Sequence, residues 1–254
     1  MASSTSVTGY SFKLPLGLLR DGKVLKNVEI RPMTGNDRVL MASPQFRTNA
    51  GKLITALLKN CLVSVEGKSP SPTDVMNMTV GDRDFLLLML RSISMEEGDV
   101  IHASMKCGSC GEQLNDVAFL VSDIPIIEIE AKKLKIEDDK YYINLKHSKF
   151  GIDVDLQIVT GREQEKISPL ASKNPFSADY KMYELCLARW NEESPPFTHN
   201  FIQSQPTKVL DWISKEYKKM QSGPDWNQKV DCELCNGQTQ ISLANSDFLL
   251  PTQM

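Results

Sequence analysis

The chain has 254 residues, 41% of them hydrophobic and 24% charged, which is enough for one large domain or two small ones. A formal net charge of −3 argues against a basic nucleic-acid-binding protein. No apolar run approaches the ~18 residues of a membrane span, so no membrane partner is expected.

Met1 to Gly9 is Ser/Thr-rich and lacks the apolar core of a signal peptide. Residues 1–10 are expected to be a flexible tail, and the protein to work in a reducing, cytosol-like setting. Ser11 to Leu19 reads as extended, Asp21-Gly22-Lys23 as a turn, and Val24 to Ile30 as an alternating strand, together a hairpin. Thr34 with Asp37 has the form of a capping box, though Asp is shorter than the usual Glu. Asn49 is placed to cap a helix whose apolar stripe is Leu53, Ile54, Leu57, Leu58, Cys61 and Leu62. Cys61 on that stripe reads as a buried small hydrophobe. Gly67 to Pro72 breaks the chain. Thr79 and Asp82 then start a second T-x-x-D helix, and Phe85 to Leu90 is apolar all round, as in a helix buried on several sides.

After Ile124-Pro125, strands are predicted at Ile126–Glu130, Lys133–Ile136, Tyr141–His147 and Ile152–Val159. Asp153 and Asp155 share one face of the last, read as a solvated strand face rather than a cation site. Thr160 with Glu163 is a fuller capping box. Helices are predicted at about Arg162–Ile167, Ala178–Trp190 and Thr207–Met220, with a turn at Pro195-Pro196. Lys215, Lys218 and Lys219 crowd the last helix end, where cations suit the helix dipole. Phe248-Leu249-Leu250-Pro251 is an apolar tail able to tuck in or dock on a partner.

Two C-x-x-C pairs stand out, Cys107/Cys110 and Cys232/Cys235, each followed by a Gly-containing turn and flanked by strand-like segments. That is the form of a zinc knuckle on a hairpin. Two knuckles supply four thiolates, a full tetrahedral set with no vacancy for water, so the expected Zn²⁺ site is structural, one ion per chain. A thioredoxin-like redox pair would sit at a helix N-terminus in a βαβ setting. A disulfide framework would need an oxidising compartment. Neither context is present.

The pairs recur at a spacing of about 125 residues, and so do Gln113/Gln238, Cys61-Leu62/Cys186-Leu187 and Ser69-Pro70/Ser194-Pro195. Thr34-Gly35 matches Thr160-Gly161 with one residue of slip. The fold expectation is therefore α+β: two pseudo-repeats, 11–124 and 125–254, each made of strand, helices and knuckle hairpin, joined through a four-cysteine zinc ribbon.

Signatures of catalysis are missing. His102, His147 and His199 are far apart, and there is no G-x-S-x-G, H-E-x-x-H, P-loop or G-x-G-x-x-G. His102 precedes the first knuckle and reads as a strand residue. Around the cysteines only Lys106 and Lys229 are basic, too few for a nucleic-acid ribbon. A non-enzymatic protein is expected, with the zinc used for stapling or protein contact.

Arg31-Pro32-Met33-Thr34-Gly35-Asn36-Asp37, followed by Leu57-Leu58-Lys59-Asn60-Cys61-Leu62, resembles the opening of phage tail and baseplate proteins. Thr79-Val80-Gly81-Asp82-Arg83-Asp84-Phe85-Leu86-Leu87-Leu88, then Leu90-Arg91-Ser92-Ile93-Ser94 and Cys107-Gly108-Ser109-Cys110, is closer still. It resembles the baseplate hub and hub-assembly proteins of T-even-type contractile-tailed phages and of phage-like contractile injection systems. The resemblance covers Val28 to Leu120 well, and the second half only through the repeat. It implies a structural or assembly role, with other baseplate, hub, spike or tape-measure proteins as partners. It also implies a location in the producing bacterium's cytoplasm or in the finished particle. The competing expectations are an assembly chaperone absent from the particle and a zinc-ribbon nucleic-acid binder.

Overall fold

The computed structural model describes residues 9–129, 133–171 and 173–243. Most of the expected N-terminal tail, the Phe248–Pro251 stretch and the end of the expected strand at Glu130 lie outside them. The fold is α+β, and every strand pairing among the described residues is antiparallel.

Tyr10 already belongs to β1 (Tyr10–Arg20), which pairs with β2 (Lys23–Ile30) in the expected hairpin. Asp21 and Gly22 close it with φ of +53° and +71°, the two-residue turn whose twist matches the strands. The Thr34 capping box starts α1 (Gly35–Met41), and the short acid does reach: the Asp37 carboxylate accepts the Thr34 N–H at 2.8 Å. Burial opposes the charge on Asp37, but the Arg31 guanidinium and the Thr34 N–H outweigh it and hold the carboxyl well below the usual range. Asn49 caps α2 (Ala50–Cys61) by accepting the Lys52 N–H. The chain turns extended at Leu62, and β3 (Leu62–Val65) completes a sheet of order β1-β2-β3. Then come α3 (Asp74–Asn77), α4 (Val80–Ser94) and the first knuckle hairpin, β4 (Val100–Lys106) with β5 (Gln113–Leu120).

The second half opens on four strands where the first opens on two. After β6 (Ile126–Ile127), strands β7 (Leu134–Glu137), β8 (Lys140–His147) and β9 (Ile152–Gln157) are followed by α5 (Gly161–Ala171) and α6 (Pro175–Cys186). The predicted helix over Ala178–Trp190 is too long. It ends at Cys186, and β10 (Leu187–Trp190) pairs with β9, giving the order β10-β9-β8-β7. Sheet pairing wins there because Leu187 and Trp190 are buried while Arg189 reaches across to Asp153 at 2.6 Å and Asp155 at 2.9 Å. The acidic strand face thus already carries a cation of its own. Helices α7 (His199–Ser204), which periodicity did not reveal, and α8 (Thr207–Lys219) precede β11 (Gly223–Pro224). β11 is the partner of β6, which is why the expected Ile126 strand is only two residues long. The second knuckle hairpin is β12 (Asn227–Asp231) with β13 (Gln238–Ser242).

Helix α5 continues through Pro169 beyond its predicted end. Proline has no N–H to give to the carbonyl four residues back. Asn49 supplies the missing donor: its Nδ2 reaches the Glu165 carbonyl at 2.9 Å. Gly51 lets α2 approach that close, since a Cβ there would meet the Gln164 carbonyl and Glu165 Cα within 3 Å.

The two halves have separate cores. One is built on β2, β3, α2 and α4; the other on β8, β9, α6 and α8, with Leu16 and Leu19 of β1 reaching into it. The start of α4 joins them. Val80 N–H bonds the Val159 carbonyl and Gly161 N–H the Met78 carbonyl, both at 3.0 Å. Arg83 is fully buried and gives its guanidinium to the Val75 and Gly51 carbonyls and to Thr55 Oγ1, at 2.9 to 3.0 Å. Asp82 is also fully buried and accepts the N–H groups of Leu16 at 2.8 Å and Gly17 at 3.0 Å.

Burial pushes the Asp82 carboxyl up to about 6 from 3.8, against the pull of those N–H groups. The folded protein holds this proton more tightly than the unfolded chain. The stabilising contribution is therefore complete below about pH 4 and lost as pH rises through 6. Lowering the pH from 7 to 5 should stabilise the wild type by about 1 kcal/mol relative to Asp82→Asn, widening the gap in melting temperature by roughly 2–4 °C. Thermal melts of both proteins at the two pH values measure this. Both keep the same cysteines, so acid effects on a bound metal cancel.

Candidate metal centre

Each knuckle is built the same way. In the first, Cys107 N–H bonds the Glu112 carbonyl at 2.8 Å and Gly111 N–H bonds the Cys107 carbonyl at 2.9 Å. In the second, Cys232 N–H bonds the Gly237 carbonyl at 2.9 Å and Asn236 N–H bonds the Cys232 carbonyl at 2.8 Å. The residue that turns the chain has positive φ in both, +77° at Gly111 and +54° at Asn236. Asparagine and glycine are the residues that tolerate this conformation best. Backbone donors point at sulfur: Ser109 N–H to Cys107 Sγ at 3.4 Å and Gly237 N–H to Cys235 Sγ at 3.3 Å. The N–H groups of Cys110 and Ser109 lower the Cys107 thiol to about 6 from 9.0, while against the pull of the Gly237 N–H the Cys110 sulfur pushes the Cys235 thiol up to about 12.

The hairpins meet so that Cys107 Sγ lies 3.7 Å from Cys235 Sγ and Cys110 Sγ 3.8 Å from Cys232 Sγ. The first cysteine of each knuckle thus faces the second of the other, a local two-fold arrangement. All four sulfurs fall within 4.8 Å of one another. These separations are far beyond the ~2.05 Å of a disulfide. A regular tetrahedron of sulfurs at ~2.3 Å from a zinc ion has edges of about 3.8 Å, and the two cross-hairpin distances match it. Cys107 and Cys232 are buried, Cys110 and Cys235 exposed. The four cysteines therefore can hold a metal ion, as their spacing predicted. Gly108 N–H adds a cross-hairpin bond to Thr239 Oγ1 at 3.0 Å. Ile101, Val121, Ile124 and Leu243 form a small core under the hairpins with Leu88 of α4.

The other candidates fall elsewhere. Cys61 and Cys186 are buried at the ends of α2 and α6, and burial pushes the Cys61 thiol up to about 12. His102 pairs with Asp116 across β4 and β5 at 2.7 Å and is no ligand. Lys106 and Lys229 are exposed on the hairpins. Sequence reasoning missed the role of Asp82, Arg83 and Asp84. Asp84 takes a hydrogen bond from the Trp226 side chain, and burial raises its carboxyl to about 6. Three consecutive charged residues, broken by nothing but backbone, leading into an apolar run were the available signal.

Residues 9–249 match the model of a protein family described as T4 bacteriophage base plate protein. The chain belongs to this family. Comparison with curated proteins and with solved structures gives no match. Membership as a baseplate protein agrees with the resemblance of Thr79–Leu88 and Arg31–Asp37, and it extends over both halves. It places the protein among components that contact other baseplate proteins. No helix among the described residues is long and apolar enough to cross a membrane.

In this baseplate protein, Cys107→Ser or Cys232→Ser should abolish stoichiometric metal in the purified protein and lower its melting temperature. Cys61→Ala should leave the metal in place. Elemental analysis beside thermal melts checks both; equal metal in all three variants would contradict the site.

Proposed function

We propose that this protein is a non-enzymatic structural or assembly component of the baseplate or its hub, stiffened by a Zn(Cys)₄ clasp. The observation that carries the reading is the family match over nearly the whole chain, joined to a thiolate set whose four positions are all filled by protein. A closed set suits a structural ion, since a catalytic zinc keeps a position for water or substrate. Four thiolates select a soft or borderline ion, and zinc fits without redox chemistry. Bound metal would contribute its binding free energy to folding and hold the two hairpins as one piece.

The two halves are read as copies of one unit. Supporting this are matched capping boxes at Thr34/Asp37 and Thr160/Glu163, caps at Asn49 and Asn174, helix-ending Cys61 and Cys186, and identical knuckle bonds. The partners proposed are neighbouring baseplate, hub, spike or tape-measure proteins.

Mass spectrometry of purified particles tests the role. The chain is expected at a stoichiometry comparable with other baseplate components. Its presence in assembly lysates but absence from intact particles would make it a chaperone instead.

A further inference from the structure

Strand β7 is the end of its sheet: among the described residues the order β10-β9-β8-β7 goes no further. Its open edge has a definite hydrogen-bonding register. Ile136 stands opposite Tyr141, and the Tyr141 carbonyl points the other way, accepting the Ile158 N–H at 2.8 Å. The N–H and C=O of a strand residue point to the same side, so Ile136 and Tyr141 form a pair that exchanges no backbone bonds. Ile136 therefore aims its own N–H and C=O outwards, and so does Leu134 two residues back.

This edge is exposed and held in place. Ile136 is 50% exposed, at the rim of the core that Tyr141 and Ile143 line. The Asp138-Asp139 turn beyond it is fixed from outside its own sheet, because the Asp139 carboxylate accepts the N–H groups of Asp21 and Gly22 at 3.0 and 2.8 Å. Charged side chains usually guard an edge strand against pairing. Here they are sorted by sign: Lys133 and Lys135 lead in, and Glu137 and Asp138 lead out. A neighbouring strand of the same sequence, antiparallel and centred on Ile136, meets this pattern with its complement. Each Lys135 stands opposite a Glu137, and Ile136 opposite Ile136. Opposite charges facing each other across a strand pair attract, and like charges repel.

We infer that β7 is a self-pairing edge through which two copies of this chain join, about a two-fold axis at Ile136, into one continuous sheet. Each Ile136 gives its N–H to the carbonyl of the other. The two Ile136 side chains cover each other at the rim of the cores. Lys135 and Glu137, already paired within one chain at 2.6 Å, each gain a cross-strand partner of opposite charge. The same patch serves both copies, so the contact closes at a dimer. The inference rests neither on the repeat reading nor on the metal.

Sedimentation of the full chain over a range of concentrations tests it, with circular dichroism recorded on the same samples. The wild type should pass reversibly from monomer to dimer. Lys135→Glu places Glu opposite Glu, and Glu137→Lys places Lys opposite Lys. Each variant should stay monomeric where the wild type is dimeric, with an unchanged spectrum, since both side chains are exposed. An equimolar mixture of the two variants restores both opposite-charge pairs and should form a heterodimer. A monomeric wild type, a dimer that survives either charge reversal, or a mixture that stays monomeric would overturn the inference.

Discussion

Everything in the body hangs on six residues at the start of α4. Thr79 bridges to Thr160, and Val80 packs into the second core. Gly81 lies so close to Ser222 and Gly223 that no side chain fits. Asp82 takes the N–H groups of Leu16 and Gly17, which lie where β1 loses register with β2 and so have no strand partner. An irregular strand leaves donors that must be satisfied when buried, and the helix supplies the acceptor. Arg83 does the converse for carbonyls of Gly51 and Val75, and its guanidinium occupies the space that a Cβ on Gly161 would take. Asp84 ties to Trp226, ahead of the second knuckle. Buried charges of this kind are costly when a partner is lost, so the segment acts as a joint that is either complete or broken.

The knuckles close the other end. There the first cysteine of each hairpin faces the second of the other, and Gly108 N–H reaches Thr239 Oγ1 across them. Helix α5 packs on both α2 and α6.

The cluster of four cysteines able to hold a metal ion was legible because C-x-x-C spacing encodes each pair locally. So were the capping boxes and the Asp21-Gly22 turn, each a property of four or five consecutive residues. Strands β3 and β10 were not. Each follows a helix without a breaker, and the apolar residues of Cys61-Leu62 and Cys186-Leu187 continue the helical stripe. Only the presence of β2 and β9 alongside decides for strand. The roles of Asp82, Arg83 and Asp84 were hidden for a related reason: at a helix start, acids read as dipole and cap residues, and their partners lie far away in sequence, 66 residues away for Leu16. The helix α5 looked shorter than it is because its Pro169 is rescued by Asn49, a donor from the other half.

The central claim is that the start of α4 makes two cores into one cooperative unit. Native-state hydrogen exchange tests it most directly. Amides in β2 and α2 and amides in β8 and β9 should open with one common free energy in the wild type. In Arg83→Ala, which removes the buried donor shared by Val75, Gly51 and Thr55, the two sets should separate into distinct levels, with a loss of about 3 kcal/mol or more in the first half. Two distinct levels already present in the wild type, or an Arg83→Ala protein that keeps one common level, would contradict the account.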